Sequence, residues 1–416
     1  MASPPAEACT SNGRCRLTPR PARAQELIEL TQNLVRAPTP NPPGDERPAV
    51  EVLKRFLSAL PGVRVRTFVA APRRVSLIAS AGKGTPVLLL AAHTDTHRIT
   101  GRWKREGLSG DLAHGKIFGR GTTDNKGAVA AMACAFRRLV LAPAKHRGRL
   151  IFLANADEET GGRYGVEALC ARWDERPDAA VVAEPSGIES SWETLWIAAR
   201  GTSRFDIEVD GTATHSSLAG RQGVRSAVEG LDAVLLGLQR RLDVLKRTPR
   251  RYGLASRLTV VAIDGGAGWG VVPETATARC ELRVLPGNEQ KRIEAAVRKA
   301  FAESVAEAGV TGRLKFADGG LRWMAPSSVP AGSRIVKAAV NGWRSVLGRA
   351  PELGCFPGGT DARLLQAAGI QSVIIGPGAL ARAHHPDEYV TVAELSVAER
   401  LYERIADRFL NGVARV

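Results

Sequence analysis

Five short polar segments hold the residues best suited to chemistry: HTDT with His93 and Asp95, GRGTTDNKG around Asp124, DEETGG with Glu158 and Glu159, AEPSG with Glu184, and HHPDE with His384. Imidazoles and carboxylates without thiolates suit zinc, cobalt or manganese in a hydrolytic, non-redox centre. Two such ions held a few ångströms apart need roughly three protein ligands each, a carboxylate shared between them and an open position for water. Asp124 is the natural bridge, because it sits on a tight Gly-rich turn just ahead of a helix. His93 and Glu184 then complete one ion, and Glu159 and His384 the other. That leaves Glu158 beside the pair, where a carboxylate can take a proton from water and pass it to a leaving amine. Asp95, just beyond His93, is placed to orient the imidazole.

Each segment alone has a plainer explanation. HTD in a turn commonly means a solvated His beside an Asx turn. DEETGG alone is an acidic turn, and Glu before Pro in AEPSG needs no functional reason. GRGTTDNKG has the glycines of a phosphate-cradling loop but lacks the GK(S/T) ending, and no GxGxxG follows the first strand. Their joint occurrence in one order carries the metal reading.

The elements that must position these residues announce themselves as apolar runs. VLLLAA precedes His93, RLIFLANA precedes Asp157, AAVVA precedes Glu184, and SVIIG stands upstream of His384. Runs of this length without alternation read as strands buried on both faces of a mainly parallel sheet. Helical stretches fall between them, in KGAVAAMACAFRRLVLA after Asp124 and in YGVEALCARW after DEETGG. Repeated strand, polar turn and helix is the α/β signature, and ligands of such sheets gather at the carboxyl ends of the strands.

At 416 residues the chain exceeds a typical single core, so two domains are expected. Residues 1–199 and 324–416 are assigned to the metal-binding domain, with 1–24 an irregular extension, and 200–323 to an insert. Inside the insert, ARGTSRFDIEVDGTATHSS alternates like a strand exposed on one face. A helix carrying Leu231, Leu235, Leu238, Leu242 and Leu245 follows, then strands in RLTVVAIDGG and ETATARCELRVLP. Asn288 is placed to cap a second helix with Ile293, Val297, Phe301 and Val305 on one face. This order predicts an antiparallel α+β sandwich.

Lys and Arg number 58 against 42 Asp and Glu, a formal net charge of +16. The excess is spread widely, and its densest stretch, RRLDVLKRTPRRYG from Arg240, has no aromatic interleaving or finger spacing. A solvated basic face that steers an anionic small molecule is therefore expected rather than a nucleic-acid surface. The six cysteines include no CxxC pair, which argues for reduced thiols in a cytoplasmic protein. No apolar leader core and no run of about 20 apolar residues is present, so neither a secretory signal nor a membrane span is expected.

From NPPGDE near Asn41 to HHPDEYV at Val390, the chain resembles the dinuclear zinc amidohydrolases and peptidases that include acetylornithine deacetylase, succinyl-diaminopimelate desuccinylase, glutamate-releasing carboxypeptidase and aminoacylase. The resemblance implies a zinc-peptidase-like catalytic domain with an inserted lid that usually dimerises. It implies two zinc ions, one held by His93, Asp124 and Glu184 and the other by Asp124, Glu159 and His384, with Glu158 as general base. It favours His384 over His385, and it implies a cis peptide after Asp124. It further implies that His215 in GTATHSS reaches the partner subunit's active site and helps stabilise the tetrahedral oxyanion. Arg283 matches an arginine that binds a substrate carboxylate, and Gly359 and Thr360 fall in a Gly-rich substrate loop, where Thr360 and Asp361 could instead cap the next helix. Two departures touch the pocket: Gly270 stands where several relatives have Asn, and His97 and Arg98 lie where a Val-Pro pair is usual.

The expected function is metal-dependent hydrolysis of the amide bond in an N-acyl amino acid or related small carboxylate, with cobalt or manganese as alternatives to zinc. A carboxypeptidase or dipeptidase would use the same machinery. Hydrolytic deamination of a small amine and noncatalytic binding of an anionic ligand are the remaining alternatives.

Overall fold

The computed structural model describes residues 22–142, 147–173, 176–242, 255–319 and 322–412. Helix α1 (Ala22–Arg36) begins inside the stretch expected to be irregular, because Leu27, Ile28, Leu30, Leu34 and Val35 share one buried face. Helix α2 (Arg47–Leu57) buries Ala49, Val50, Leu53 and Leu57. Strands β1 (Arg64–Ala71) and β2 (Arg74–Lys83) pair antiparallel. The chain then lays down β3 (Val87–His93), α3 (Lys126–Leu141), β4 (Gly148–Asn155), β5 (Ala179–Val182) and β6 (Thr194–Ala199).

The next segment forms β7 (Gly201–Asp210), α4 (Ala227–Leu242), β8 (Arg257–Gly265), β9 (Thr275–Val284), α5 (Gln290–Ala308) and β10 (Thr311–Phe316). The chain returns through α6 (Arg334–Leu347), β11 (Glu352–Phe356), α7 (Ala362–Ala367), β12 (Gln371–Ile374) and α8 (Val392–Asn411).

The main sheet runs β1-β2-β4-β3-β5-β12-β6, with β11 beside β6. Its centre is parallel: β3 pairs in parallel with β4 and β5, and β12 with β5. Successive residues of β3 explain the unalternated apolar run. Leu88, Leu90 and Ala92 join the core under α1, α3, α6 and α8, while Leu89 and Ala91 join the core on the opposite face. Each fully buried Leu of this kind contributes about 1.5–3 kcal/mol. The expected α/β architecture, a mainly parallel mixed sheet flanked by helices, is the one observed.

YGVEALCARW is less regular than its pattern suggested. A wide turn spans Arg163–Glu167, with Gly165 outside helical geometry at φ −106° and ψ −112°, and only Ala168–Cys170 is α-helical. A Cβ on Gly165 would lie 1.8 Å from the carbonyl oxygen of Ala156, so the close approach of strand end to turn requires glycine here.

The inserted sheet has the order β8-β9-β7-β10, all antiparallel, with α4 and α5 packed on it. Phe205, Ile207, Leu231, Val234, Leu238, Ile293, Val297 and Phe301 form an apolar cluster distinct from those of the main sheet. Leu245 lies outside the described residues. Asn288 does not cap α5: the cap position is Glu289, and the Asn288 amide donates instead to the Leu285 carbonyl at 3.0 Å. Edge strand β8 leaves Val261 and Ile263 exposed, as are Trp269 and Val271 beyond it.

Candidate metal centre

Parallel pairing puts the carboxyl ends of β3, β4, β5 and β12 along one edge, and the polar segments follow from those ends. His93 is the last residue of β3. Glu158 and Glu159 form a one-turn helix just past β4. Glu184 lies just past β5, and Asp124 precedes α3, with a cis peptide between Asp124 and Asn125.

The side chains converge. His93 Nε2 lies 3.0 Å from Asp124 Oδ1 and 4.0 Å from Glu184 Oε1. His384 Nε2 lies 3.3 Å from Asp124 Oδ2 and 3.4 Å from Glu159 Oε1. The two oxygens of Asp124 therefore face different imidazoles. Glu158 lies with His93 and Glu184, their potential ligand atoms all within 4.8 Å of one another, and Asp124, Glu159 and His384 form a second group on the same criterion. His385 is exposed and bonds only the carbonyl of its neighbour Pro386, so His384 is the member of the doublet that meets the carboxylates.

Compared with known proteins, residues 89–408 match peptidase family M20/M25/M40. The chain belongs to this family. It is 30% identical over 398 residues to a succinyl-diaminopimelate desuccinylase from Phenylobacterium zucineum, covering 93% of this chain and 99% of that one. It is similar in structure to an M20 family metallo-carboxypeptidase from Sulfolobus solfataricus, with a TM-score of 0.74 at 17% identity, covering 94% and 99% of the two chains. A dinuclear metal-binding peptidase of the M20 family from Bacillus subtilis aligns with a TM-score of 0.66 at 16% identity, covering 94% and 99%. Family membership makes the chain a metal-dependent hydrolase of C–N bonds, as the ligand segments implied.

The donor set fits divalent cations. His93 Nδ1 is 3.0 Å from the backbone oxygen of Asp95, which can only accept, so Nδ1 carries a proton and Nε2 is the nitrogen turned toward the carboxylates. Nε2 faces carboxylate oxygens of Asp124 and Glu184, and such a contact needs a proton or a cation between the facing acceptors. Burial pushes Glu184 well above the usual carboxylate range, and the nearby charges of Asp124 and Glu158 add to it. Glu158 is pushed up the same way, burial first, with His93 opposing and Asp361, Glu159 and Asp124 reinforcing. A pair of divalent ions would supply the missing positive charge.

Sequence reasoning missed the struts. The Glu388 carboxylate accepts the backbone N–H groups of Thr123 at 2.8 Å and Asp124 at 3.1 Å, and Arg120 donates to it at 2.6 Å. Arg120 also donates to the carbonyl of His384 at 3.2 Å, locking the turn that bears Asp124 to the segment that bears His384. Asn125 donates to the Ala183 carbonyl at 2.6 Å, beside Glu184. Asn41 of NPPGDE donates to Asp95 at 2.8 Å and to Asp157 at 3.2 Å. Asp157, in the left-handed region at φ 72°, is also paired with buried Arg74, which reaches Glu46 at 2.9 Å. Buried Lys126 donates to the Ala37 carbonyl at 2.6 Å, and burial pushes its pKa down to about 7. NPPGDE and HHPDE bounded the family resemblance, yet nothing in their residue types told a strut from a ligand.

The remaining sequence candidates lie away from the cluster or are engaged elsewhere. His215 is exposed in a short ribbon paired with Val271–Val272, and its Nδ1 contacts Ser217 Oγ at 2.8 Å. Arg283, on β9, donates to Thr202 at 2.9 Å and to Glu281 at 3.2 Å. Thr360 Oγ1 accepts the Ala362 N–H at 3.1 Å, whereas Asp361 makes no cap bond and accepts from Asn155 at 2.6 Å. Burial pushes Asp361 up to about 7, with His93 and Arg363 opposing. Gly359 stands near Met324: a Cβ there would come within 2.6 Å of its methyl carbon. His97 stacks on His384 with ring centroids 4.6 Å apart, and its N–H donates to Glu159 at 2.8 Å. The residue found where a Val-Pro pair is usual thus touches two of the three members of one candidate ligand group. Among the described residues, no helix is long and apolar enough to cross a membrane.

Proposed function

We propose that this chain is a zinc-dependent amidase that hydrolyses the C–N bond of an N-acylated amino acid or a related small carboxylate. The observation that carries the reading is Asp124, with one carboxylate oxygen toward His93 and the other toward His384. His93, Asp124 and Glu184 would hold one ion, and Asp124, Glu159 and His384 the other; the imidazole and carboxylate donors suit zinc. The ions supply Lewis acidity toward the scissile carbonyl and toward water. Glu158 takes the proton from water and delivers it to the departing nitrogen, a role that suits a buried carboxyl with a raised pKa. Asp95 holds His93 and the Glu158 turn in place. Arg283 would exchange its internal partners for the substrate carboxylate, and the backbone at Gly359 and Thr360 would line the pocket.

A deacylase is favoured over an exopeptidase because the near-full-length relative at 30% identity is a desuccinylase, while the carboxypeptidase likeness is one of fold at 17% identity. Residues 200–323 would form a lid that makes a homodimer through the apolar groups left exposed around β8. The ribbon carrying His215 pairs with Val271, one of those exposed groups, so dimerisation would carry His215 toward the partner's centre. Cys134, Cys170, Cys280 and Cys355 are free thiols, as befits a cytoplasmic enzyme.

The test is elemental analysis of the purified protein, then hydrolysis of N-succinyl and N-acetyl amino acids against dipeptides, with and without chelator. Two equivalents of zinc and chelator-sensitive release of acyl groups are expected. Turnover of dipeptides alone would transfer the assignment to the exopeptidases, and no metal with no turnover would sink it.

A further inference from the structure

The two imidazoles of the candidate centre are held in different ways. His93 has a side chain only 2% exposed, and its Nδ1 is fixed on the Asp95 carbonyl at 3.0 Å. The side chain of His384 is 44% exposed. Arg120 fastens its backbone carbonyl and its Nε2 faces Asp124 and Glu159, but among the described residues its Nδ1 has no hydrogen-bond partner. Histidine ligands are ordinarily oriented by a bond from the second ring nitrogen. The outer torsion of a histidine side chain is broad and soft, so a ring without that bond needs another restraint.

His97 supplies one. Its ring stacks on that of His384 with 4.6 Å between centroids and 26° between planes, a separation usual for paired aromatic rings. Its backbone N–H donates at 2.8 Å to Glu159 Oε1, the same oxygen that lies 3.4 Å from His384 Nε2. One residue thus grips the carboxylate through its backbone and the imidazole through its ring face.

A side chain can orient another only if it is itself fixed. The chain on either side of His97 is tied to the stretch from Thr39 to Pro42. The Thr96 N–H donates to the Thr39 carbonyl at 3.0 Å, and the Asn41 N–H donates to the Thr96 carbonyl at 2.9 Å. Arg98 Nε donates to the Pro42 carbonyl, also at 3.0 Å. His97 Nδ1 then donates to the Arg98 carbonyl at 3.1 Å, which sets the plane of its ring. The family resemblance puts a Val-Pro pair at His97 and Arg98, so this ring is the chain's own addition to the site.

We propose that His97 is a positioning residue: stacked on His384, it holds that imidazole in line with Asp124 and Glu159 and so strengthens the grip on the ion at this end of the centre. The proposal rests on the reading that Asp124, Glu159 and His384 hold an ion. His97→Ala removes the ring but keeps the N–H to Glu159, whereas His97→Phe keeps a flat ring against His384. The experiment is competition for zinc between a chromophoric chelator and the zinc-loaded wild type, His97→Ala and His97→Phe, with thermal melts of the metal-free proteins alongside. Wild type should release two equivalents. In His97→Ala one of them should bind about 10- to 100-fold more weakly and the other as before. Most of that loss should return in His97→Phe, and the metal-free melts should coincide. A wild type holding fewer than two equivalents would overturn the two-ion reading and this proposal with it. Equal affinities in wild type and His97→Ala, a loss spread evenly over both equivalents, or a His97→Phe no better than His97→Ala would overturn this proposal alone. A lower metal-free melting temperature in His97→Ala would do the same, by making the ring a support of the fold.

Discussion

The Asp95 carboxylate accepts the backbone N–H of Glu158 at 3.1 Å, while its other oxygen accepts that of Glu159, also at 3.1 Å. Its backbone oxygen meanwhile takes the Nδ1 proton of His93 at 3.0 Å. One residue therefore fixes the His93 imidazole and the turn that carries Glu158 and Glu159. In Asp95→Asn the carboxamide can accept at only one of those positions, and its NH2 would face an N–H donor. A loss of about 10- to 100-fold in kcat or metal affinity is expected, read by steady-state kinetics with metal analysis. Full kcat with both metals retained would show that the turn holds itself.

Glu158→Ala should keep both metals and lose about 100- to 10,000-fold in kcat, the usual weight of a positioned acid–base group. Loss of metal in this variant would mean that Glu158 and Glu159 have exchanged roles.

His215→Ala should leave the dimer intact and lower kcat by about 100-fold, as for the loss of one oxyanion donor. Because each site would use its own Glu158 and the partner's His215, a mixed dimer of Glu158→Ala and His215→Ala subunits keeps one complete site. Co-expression should restore turnover well above either parent. An activity equal to the mean of the two parents would confine His215 to its own subunit.

Ile263, 63% exposed on edge strand β8, is the residue to charge in testing the dimer. Ile263→Asp should sediment as a folded monomer where the wild type sediments as a dimer. An unchanged dimer would move the contact off β8.

Glu394 supplies a pH dependence away from the candidate metal centre. Burial alone would raise its pKa, but bonds from the Ser191 hydroxyl and the Thr391 N–H, with the charge of Arg382, hold it below the usual range. Its folded pKa thus lies below the unfolded value of about 4.3, so the stabilisation is present above that pH and is lost as pH falls through the folded value. Glu394→Gln should be less stable by about 1–2 kcal/mol at pH 7 in urea titration, with the gap closing on acidification. A gap that persists in acid would assign the effect to packing.

Much of this protein was readable in one dimension. A buried strand shows as an unbroken apolar run because both its faces are covered, so β3, β4, β5 and β12 could be found from VLLLAA and its counterparts. Polar side chains gathered at strand ends follow from that, since parallel strands deliver their carboxyl ends to one edge, and the types at His93, Asp124, Glu158, Glu159, Glu184 and His384 pointed to metal-dependent hydrolysis. Only tertiary structure decided what holds them. Glu388, Arg120, Asn41 and Arg74 act across separations of tens to hundreds of residues, through hydrogen bonds that leave no periodic trace. The break at Gly165 and the Asn288 turn were settled by close packing and competing hydrogen bonds, which override local propensity.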